Sequence, residues 1–299
     1  EYHTKMNAMD PMNMEMLLNA VDMAENEGWK GVVIGNDAAN FCAGANLGLA
    51  LFAANLAAWK DLDDFIGLGQ DTYQTLKFSE VPIVAASAGL CLGGGAEVLM
   101  HCDAIQAHSE SYVGLVEVGV GIIPAWGGCK EYLGRIKEFG LVSNGPMGAV
   151  MKAFEVIGTA QVAKSADQAQ TMGFLGPNDR ITMNRDRLLS DAKKTLIELS
   201  KDYSPPEPRT YSLPGPSGKA ALELAVNDLA LSGKVTPHDI VVTNALAEIL
   251  TGGDTDITDI LEEDDILAME KIAITTLAKN TDTLDRMQHM LETGKPLRN

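Results

Sequence analysis

Long apolar runs are missing from this sequence. Nowhere does it reach about eighteen consecutive apolar residues, the length a membrane-spanning helix needs, so no membrane span is expected. The first ten residues, E-Y-H-T-K-M-N-A-M-D, lack both the basic region and the apolar stretch of a secretion signal, which makes a cytoplasmic site the default expectation. Basic residues are scarce as well. Lys and Arg number 23 against 41 Asp and Glu, a net charge of −18, and this argues against nucleic acid as a partner. A small polyanionic ligand is not excluded, because a few local lysines and helix N-termini suffice to hold phosphates. The four cysteines, Cys42, Cys91, Cys102 and Cys129, contain no C-x-x-C pair and read as reduced packing residues, with a thiol nucleophile or a metal ligand as the alternatives.

What is present fits a globular protein: 46% hydrophobic and 21% charged residues over 299 positions, enough for one large core or two modest ones, with a somewhat high 29 glycines. The opening residues up to Lys5 read as the end of a strand. Together with a first residue, Glu1, that is not an initiator, this predicts that a domain preceding this chain has been removed. Apolar residues at helical spacing (Met14, Leu17, Leu18, Val21, Ala24) predict a helix over 14–27, ending at Gly28. G-V-V-I-G from Gly31 and V-P-I-V-A-A-S-A-G from Val81 read as buried strands. A helix is expected from about Gly95 to Cys102, followed by two strands in D-A-I-Q-A-H and S-Y-V-G-L-V. Strands alternating with helices mean α/β. The later part of the chain reads as mostly helical over 165–172, 184–201, 218–232, 237–250 and 262–294. The segment S-P-P-E-P-R-T-Y-S-L-P-G-P-S-G reads as an ordered crossing over a surface, since its Tyr and Leu want burial; an interdomain linker is the alternative.

Two turns rich in small residues, each following a strand, carry the chemistry: N-F-C-A-G-A-N-L (40–47) and A-G-L-C-L-G-G-G-A-E (88–97). Small residues let backbone come close to a ligand and aim N–H groups at an anion, and the second turn opens a helix whose first N–H groups are free. Each alone reads more readily as a tight packing corner. Neither is a P-loop or a dinucleotide fingerprint. A carboxyl follows the second turn at Glu97, where the bland reading is a charge favoured by the helix dipole. Another stands at Glu117 inside V-G-L-V-E-V-G-V-G-I-I-P, an apolar run in which an unpaired carboxylate is costly to bury and a buried acid tends to be functional. His101 and His108, flanking Cys102 and Asp103, do not have zinc-site spacing and read as helix-end and strand residues. A-S-A-G around Ser87 is not a nucleophile elbow.

These turns, in this order and with K-M-N-A-M before them and V-G-L-V-E-V-G-V-G-I-I-P-A-W-G-G after them, resemble the crotonase (enoyl-CoA hydratase/isomerase) superfamily over about the first 135 residues. The resemblance implies a ββα spiral core over residues 1–190 and a helical region over 191–299 that covers the active site or builds a homo-oligomer. It implies an acyl-CoA substrate, coenzyme A entering as part of that substrate and no other cofactor or metal. The backbone N–H groups of Ala45 and Gly94 would hold the thioester oxygen, Glu97 would take a proton from water and Glu117 would protonate C2. Lys5 and Met6 would line the thioester arm; Ala43, Asn46 and Leu47 would border the substrate; Pro124, Ala125 and Trp126 would be core or a wall of the acyl pocket. Asn46 departs from the family's usual Asp beside the coenzyme A site. The stretches A-K-S-A-D-Q-A-Q-T-M-G-F-L-G-P-N-D-R and M-L-E-T-G-K-P-L-R-N are similar to a branch in which a 3-hydroxyacyl-CoA dehydrogenase part precedes the hydratase part. The implied activity is hydration of trans-2-enoyl-CoA in fatty-acid β-oxidation; a Δ3,Δ2-enoyl-CoA isomerase and a non-catalytic scaffold for a dehydrogenase are the alternatives.

Overall fold

The computed structural model describes residues 2–143 and 145–299, so Glu1 lies outside the described residues. Along the chain the elements are α1 (Pro11–Asn26), β1 (Val32–Gly35), β2 (Cys42–Ala43), α2 (Leu47–Asn55), α3 (Trp59–Lys77), β3 (Ile83–Leu92), α4 (Gly94–Met100), β4 (Ala104–Gly114), α5 (Gly128–Glu138), α6 (Pro146–Gly158), α7 (Ala166–Met172), β5 (Arg180–Thr182), α8 (Leu188–Leu199), β6 (Thr210–Tyr211), α9 (Gly215–Leu231), α10 (Pro237–Thr251), β7 (Leu261–Glu262), α11 (Glu263–Leu277) and α12 (Thr281–Thr293). Short 3₁₀ turns occur at Lys5–Asn7, Glu117–Val120 and Arg185–Arg187. The α/β expectation and the helical later part are both realised. No helix among the described residues is long and apolar enough to cross a membrane.

The chain forms two compact units. The first comprises Glu1–Asn46, Gly67–Leu115 and Val162–Glu207; the second comprises Leu47–Ile66, Val116–Gln161 and Pro208–Asn299. In the first, a parallel sheet runs β1-β3-β4-β5, with β2 also paired to β3. Strand β3 is central and nearly all apolar, as a strand covered on both faces must be. Leu188, Ala192 and Leu196, four residues apart on one face of α8, pack on Val84, Ala86 and Ala88, two apart on one face of β3. Helix α1 begins three residues before the predicted start because Asp10 caps it, accepting the Asn13 N–H at 2.9 Å, and Pro11 occupies its first turn.

Three local expectations are corrected. The residues before Lys5 form no strand among those described: Lys5–Asn7 is a 3₁₀ turn, and the pairing comes later, as an isolated bridge from Met9 to Ala45. The two strands expected in 103–116 are one, β4. Its register against β3 slips between Ala107, opposite Ser87, and Ser111, opposite Gly89, so His108 to Glu110 bulge out of the ladder. Leu115 and Val116 are outside it. Helices α2, α3, α5 and α6 stand where the sequence reading placed none. By contrast, the Pro-rich crossing is ordered: β6 pairs antiparallel with β7, and Tyr211 and Leu213 are buried. The segment read as helical over 262–294 is broken at Asn280, whose side chain caps α12 by accepting the Asp282 N–H.

Asp103, just before β4, supplies a stability test. Its Oδ2 accepts the Ile83 N–H at 2.7 Å and its Oδ1 accepts the Tyr203 hydroxyl at 3.0 Å, yet burial outweighs these bonds and pushes its carboxyl up to about 6. A carboxyl whose folded pKa exceeds its unfolded value binds a proton more tightly when folded. Its ionised form therefore costs stability above about pH 6, and the cost vanishes as pH falls towards the unfolded value near 3.8. A rise from 3.8 to about 6 corresponds to about 3 kcal/mol between the two protonation states. Asp103→Asn keeps an oxygen for Ile83 and removes the charge. The variant is expected to gain on wild type by up to about that amount at pH 7.5 relative to pH 4. Urea melts at the two pH values check it, and equal differences at both would show the burial cost to be absent.

Candidate functional site

In the first unit the two turns rich in small residues lie side by side because β2 runs parallel to β3, with Cys42 opposite Cys91 and Ala43 opposite Leu92. Two residues beyond the last pair, the chains reach Ala45 and Gly94. Glycine is required here for two different reasons. Gly93 adopts φ 54°, ψ −126°, out of reach of ordinary L-residues, and so turns β3 into α4. Gly95 is a matter of space: a Cβ there would lie 2.3 Å from the Cys42 carbonyl oxygen and 2.8 Å from its Cβ. Backbone thus presses on backbone where the two turns meet. The Gly93 N–H is tied to the Gly114 carbonyl at 2.9 Å. Gly94, as first residue of α4, has no acceptor for its N–H within the helix.

The first turn is held from its other side by the N-terminal segment. Met9 N–H donates to Gly44 O and Asn46 N–H donates to Met9 O, both at 2.8 Å. Asn7 Nδ2 donates to Asn40 O at 2.8 Å, and Met6 and Asn7 both take positive φ, 59° and 55°, to make the bend. Lys5, Met6, Ala43, Ala45 and Asn46 are therefore gathered with Gly94 and Glu97 in one unit.

Glu97 is the fourth residue of α4 and is buried, at 2% exposure. Of the residues around it, Tyr73 is one that the sequence did not single out, whereas His101 stands at the helix end as expected. Tyr73, on α3, donates its hydroxyl to Gly94 O at 3.0 Å, and its phenol is held well above its ordinary pKa by burial, then by the charges of Cys42 and Glu97. Its ring contacts that of His101, centroids 5.5 Å apart. His101 Nδ1 donates to Glu97 O at 2.7 Å. Burial pushes the Cys42 thiol up to about 12 and raises Cys91 further, so neither is a ready nucleophile. All four cysteines are buried free thiols. Tyr73 carried no sequence signal: it lies 21 residues from Gly94 on a helix that the periodicity did not reveal.

In the second unit Glu117 opens a 3₁₀ turn, Glu117–Val120, closed by Gly121 at φ 81°. The residue is half-buried rather than engulfed, with its Oε2 shielded from solvent. Pro124, Ala125 and Trp126 are buried, and Trp126 meets Phe65 edge-to-face at 5.4 Å, so the indole is at least core. The segment after Trp126 is fixed by Glu270 of α11, which accepts N–H groups from Gly127 (2.8 Å) and Lys130 (3.1 Å) at the start of α5. Lys130 Nζ is itself buried between Glu131 Oε1 (2.6 Å) and Glu263 Oε2 (2.7 Å), charges that no sequence pattern would have placed inside. Leu47 begins α2 in this unit.

Residues 2–138 match the model of the family described as enoyl-CoA hydratase/isomerase. Among curated proteins, the chain is 39% identical over its whole length to a Bacillus subtilis (strain 168) protein named "Probable 3-hydroxyacyl-CoA dehydrogenase", of which it covers 38%. It is 31% identical, over 64% of its own length and 68% of the relative's, to a crotonyl-CoA hydratase of Syntrophomonas wolfei. It spans under two fifths of the length of the first curated relatives it matches, 38% and 36%. Among solved structures, an enoyl-CoA hydratase from Bacillus halodurans superposes with a TM-score of 0.63 at 19% identity, over 95% of this chain and 91% of the other, which establishes the fold.

Proposed function

The chain belongs to the enoyl-CoA hydratase/isomerase family, and on that premise we propose that it adds water to trans-2-enoyl-CoA thioesters, giving 3-hydroxyacyl-CoA. The observation that carries the reading is the register of β2 on β3, which sets Ala45 and Gly94 at matching places beyond two touching strands, the second at a helix N-terminus. When water attacks C3, negative charge gathers on the thioester oxygen as an enolate develops. Two N–H groups already aimed at that oxygen stabilise the transition state more than the ground state. The attacking water must lose a proton, and C2 must gain one. We assign the first transfer to the Glu97 carboxylate and the second to the Glu117 carboxyl. Lys5, Met6, Ala43, Asn46 and Leu47 are assigned to the thioester and coenzyme A arm, and Pro124, Ala125 and Trp126 to the acyl side. Asn46 offers an amide where the family's usual Asp would offer a charge, so contacts there are neutral ones. Coenzyme A belongs to the substrate, and the chemistry asks for no further cofactor.

The wider setting follows from the relatives' names. The relative named for a 3-hydroxyacyl-CoA dehydrogenase supports a place in a longer polypeptide that oxidises the product next, and a Rickettsia prowazekii relative named for a fatty acid oxidation complex supports fatty-acid β-oxidation as the setting. Oxidation needs a nicotinamide site, a strand, glycine-rich turn and helix with an acidic residue about twenty positions on, and the glycine turns here are assigned to the thioester oxygen. These 299 residues on their own are therefore expected to hydrate crotonyl-CoA, seen as loss of the enoyl thioester absorbance, and to form no NADH from NAD and 3-hydroxybutyryl-CoA. No hydration of crotonyl-CoA or of longer 2-enoyl-CoA would refute the first half. Micromolar NAD binding by calorimetry would refute the second.

A further inference from the structure

The turn that carries Glu117 is seated on helices from the far end of the chain, within the same unit. Thr283 of α12 donates its hydroxyl to Gly121 O at 3.0 Å, and Arg286, one turn further on, reaches Val118 O with Nη1 at 3.4 Å. Both side chains are buried, at 0% and 2% exposure. The contact is direct. A Cβ on Gly121 would lie 3.1 Å from Thr283 Cα, 3.2 Å from Arg286 Cδ and 3.2 Å from His238 Nε2, so a side chain there would press on all three, and the turn's φ of 81° favours glycine as well.

Chemistry fixes the direction of each hydrogen bond. A carbonyl only accepts, so the single proton of the Thr283 hydroxyl goes to Gly121. His238 Nε2, 2.9 Å from the same hydroxyl, must then be the donor, which fixes the imidazole with its proton on Nε2. Arg286 is anchored in turn by Asp239 Oδ1 at 2.8 Å and Thr236 Oγ1 at 3.0 Å, the latter the cap of α10. The Glu117 carbonyl closes the same turn by accepting the Ile122 N–H at 3.2 Å. Pinning Val118 O and Gly121 O therefore fixes the backbone from which the Glu117 carboxyl projects.

We infer that Thr283 is a positioning residue for Glu117: its hydroxyl, oriented by His238, holds the 3₁₀ turn in the attitude that lets the carboxyl deliver its proton. The inference rests on the assignment of Glu117 as the proton donor. A packing role alone would depend on shape and not on the hydroxyl, and the test separates the two. Thr283→Val keeps the shape and loses the donor; Thr283→Ser keeps the donor. With crotonyl-CoA, Thr283→Val is expected to lower kcat about tenfold, small beside the effect of removing the acid itself, with KM within about twofold. Thr283→Ser should stay within about twofold of wild type in both. Thr293→Ala, at the exposed end of the same helix, should change neither parameter. His238→Leu, which removes the orienting donor from a distance, should lower kcat about threefold, and His238→Gln should restore it. This pair decides the matter should Thr283→Val fail to fold. A folded Thr283→Val enzyme with wild-type kcat, or a Thr283→Ser enzyme as slow as Thr283→Val, would overturn the inference. Glu117→Gln measured alongside keeps the two ideas apart. A crippled Glu117→Gln beside an unaffected Thr283→Val overturns only the positioning role. An active Glu117→Gln overturns the assignment on which it rests.

Discussion

Glu97→Gln and Glu117→Gln are each expected to slow hydration of crotonyl-CoA by roughly 10²–10⁴, the usual effect of removing a positioned acid or base. Glutamine keeps the size and the hydrogen-bonding oxygen but can neither take nor give a proton at neutral pH. For Glu97, the structure sharpens the case. A carboxylate at 2% exposure in a helix of seven residues contributes little as a dipole partner, since so short a helix has little dipole to complement. Glu97→Gln is expected to lose turnover while remaining folded. Glu117 is a half-buried residue with its Oε2 shielded, so its variant too is to be compared with wild type for folding as well as for rate. The double substitution should be little slower than the worse single one, because water attack and C2 protonation belong to one transition state. Steady-state kinetics with melting curves on the same samples check all three. Either single variant retaining more than about half the wild-type rate would remove that residue from the chemistry.

What was legible beforehand, and what was not, follows from how far the causes lie apart along the chain. The two glycine turns could be read because their requirements are local: Gly93 needs its own positive φ, and each turn follows its own strand. Helix α1 could be read because Met14, Leu17, Val21 and Ala24 repeat on one face, and all four are buried. Its start was placed late because the cap, Asp10, stands before the first apolar residue of the stripe. Strand β4 was split in two because a bulge breaks the alternation at His108 to Glu110 without ending the pairing. Helix α2, L-G-L-A-L-F-A-A-N, is apolar all round and so offers no periodicity to find. The partners of the site were least legible. Tyr73 near Glu97, and Thr283, Arg286 and His238 under the Glu117 turn, are brought there by folding alone, over 160 residues away for Thr283 and Gly121. Polar residues on helices read as solvated faces until the packing is known, and here they are the ones that hold the backbone in place.

Gly94→Pro is expected to cost about 10²–10³ in turnover, the typical effect of losing one oxyanion donor. Proline has no N–H, so the substitution deletes the proposed donor itself rather than a side chain beside it. Position and chemistry make it a fair test. Gly94 is the first residue of α4, the place where a helix tolerates proline best, because its N–H has no helical acceptor to lose. The Gly94 carbonyl, which receives the Tyr73 hydroxyl, is retained, so the brace from α3 can persist. Cys91→Ser serves as the companion. It alters β3 three residues before Gly94, and a hydroxyl can bond to the Gly89 carbonyl as the thiol does at 3.7 Å, so turnover should stay near wild type. Proline does constrain the residue before it, and Gly93 already holds an unusual backbone conformation, so circular dichroism and a melting curve must accompany the rates. A second readout isolates the donor. A chromophoric 2-enoyl thioester held by two N–H groups absorbs at longer wavelength than in water, because its carbonyl is polarised, and Gly94→Pro should shrink that shift while Glu97→Gln leaves it in place. A folded Gly94→Pro protein with the full spectral shift and normal turnover would mean that the thioester oxygen is held elsewhere, and the meeting of the two turns beyond β2 and β3 would be only a packing corner.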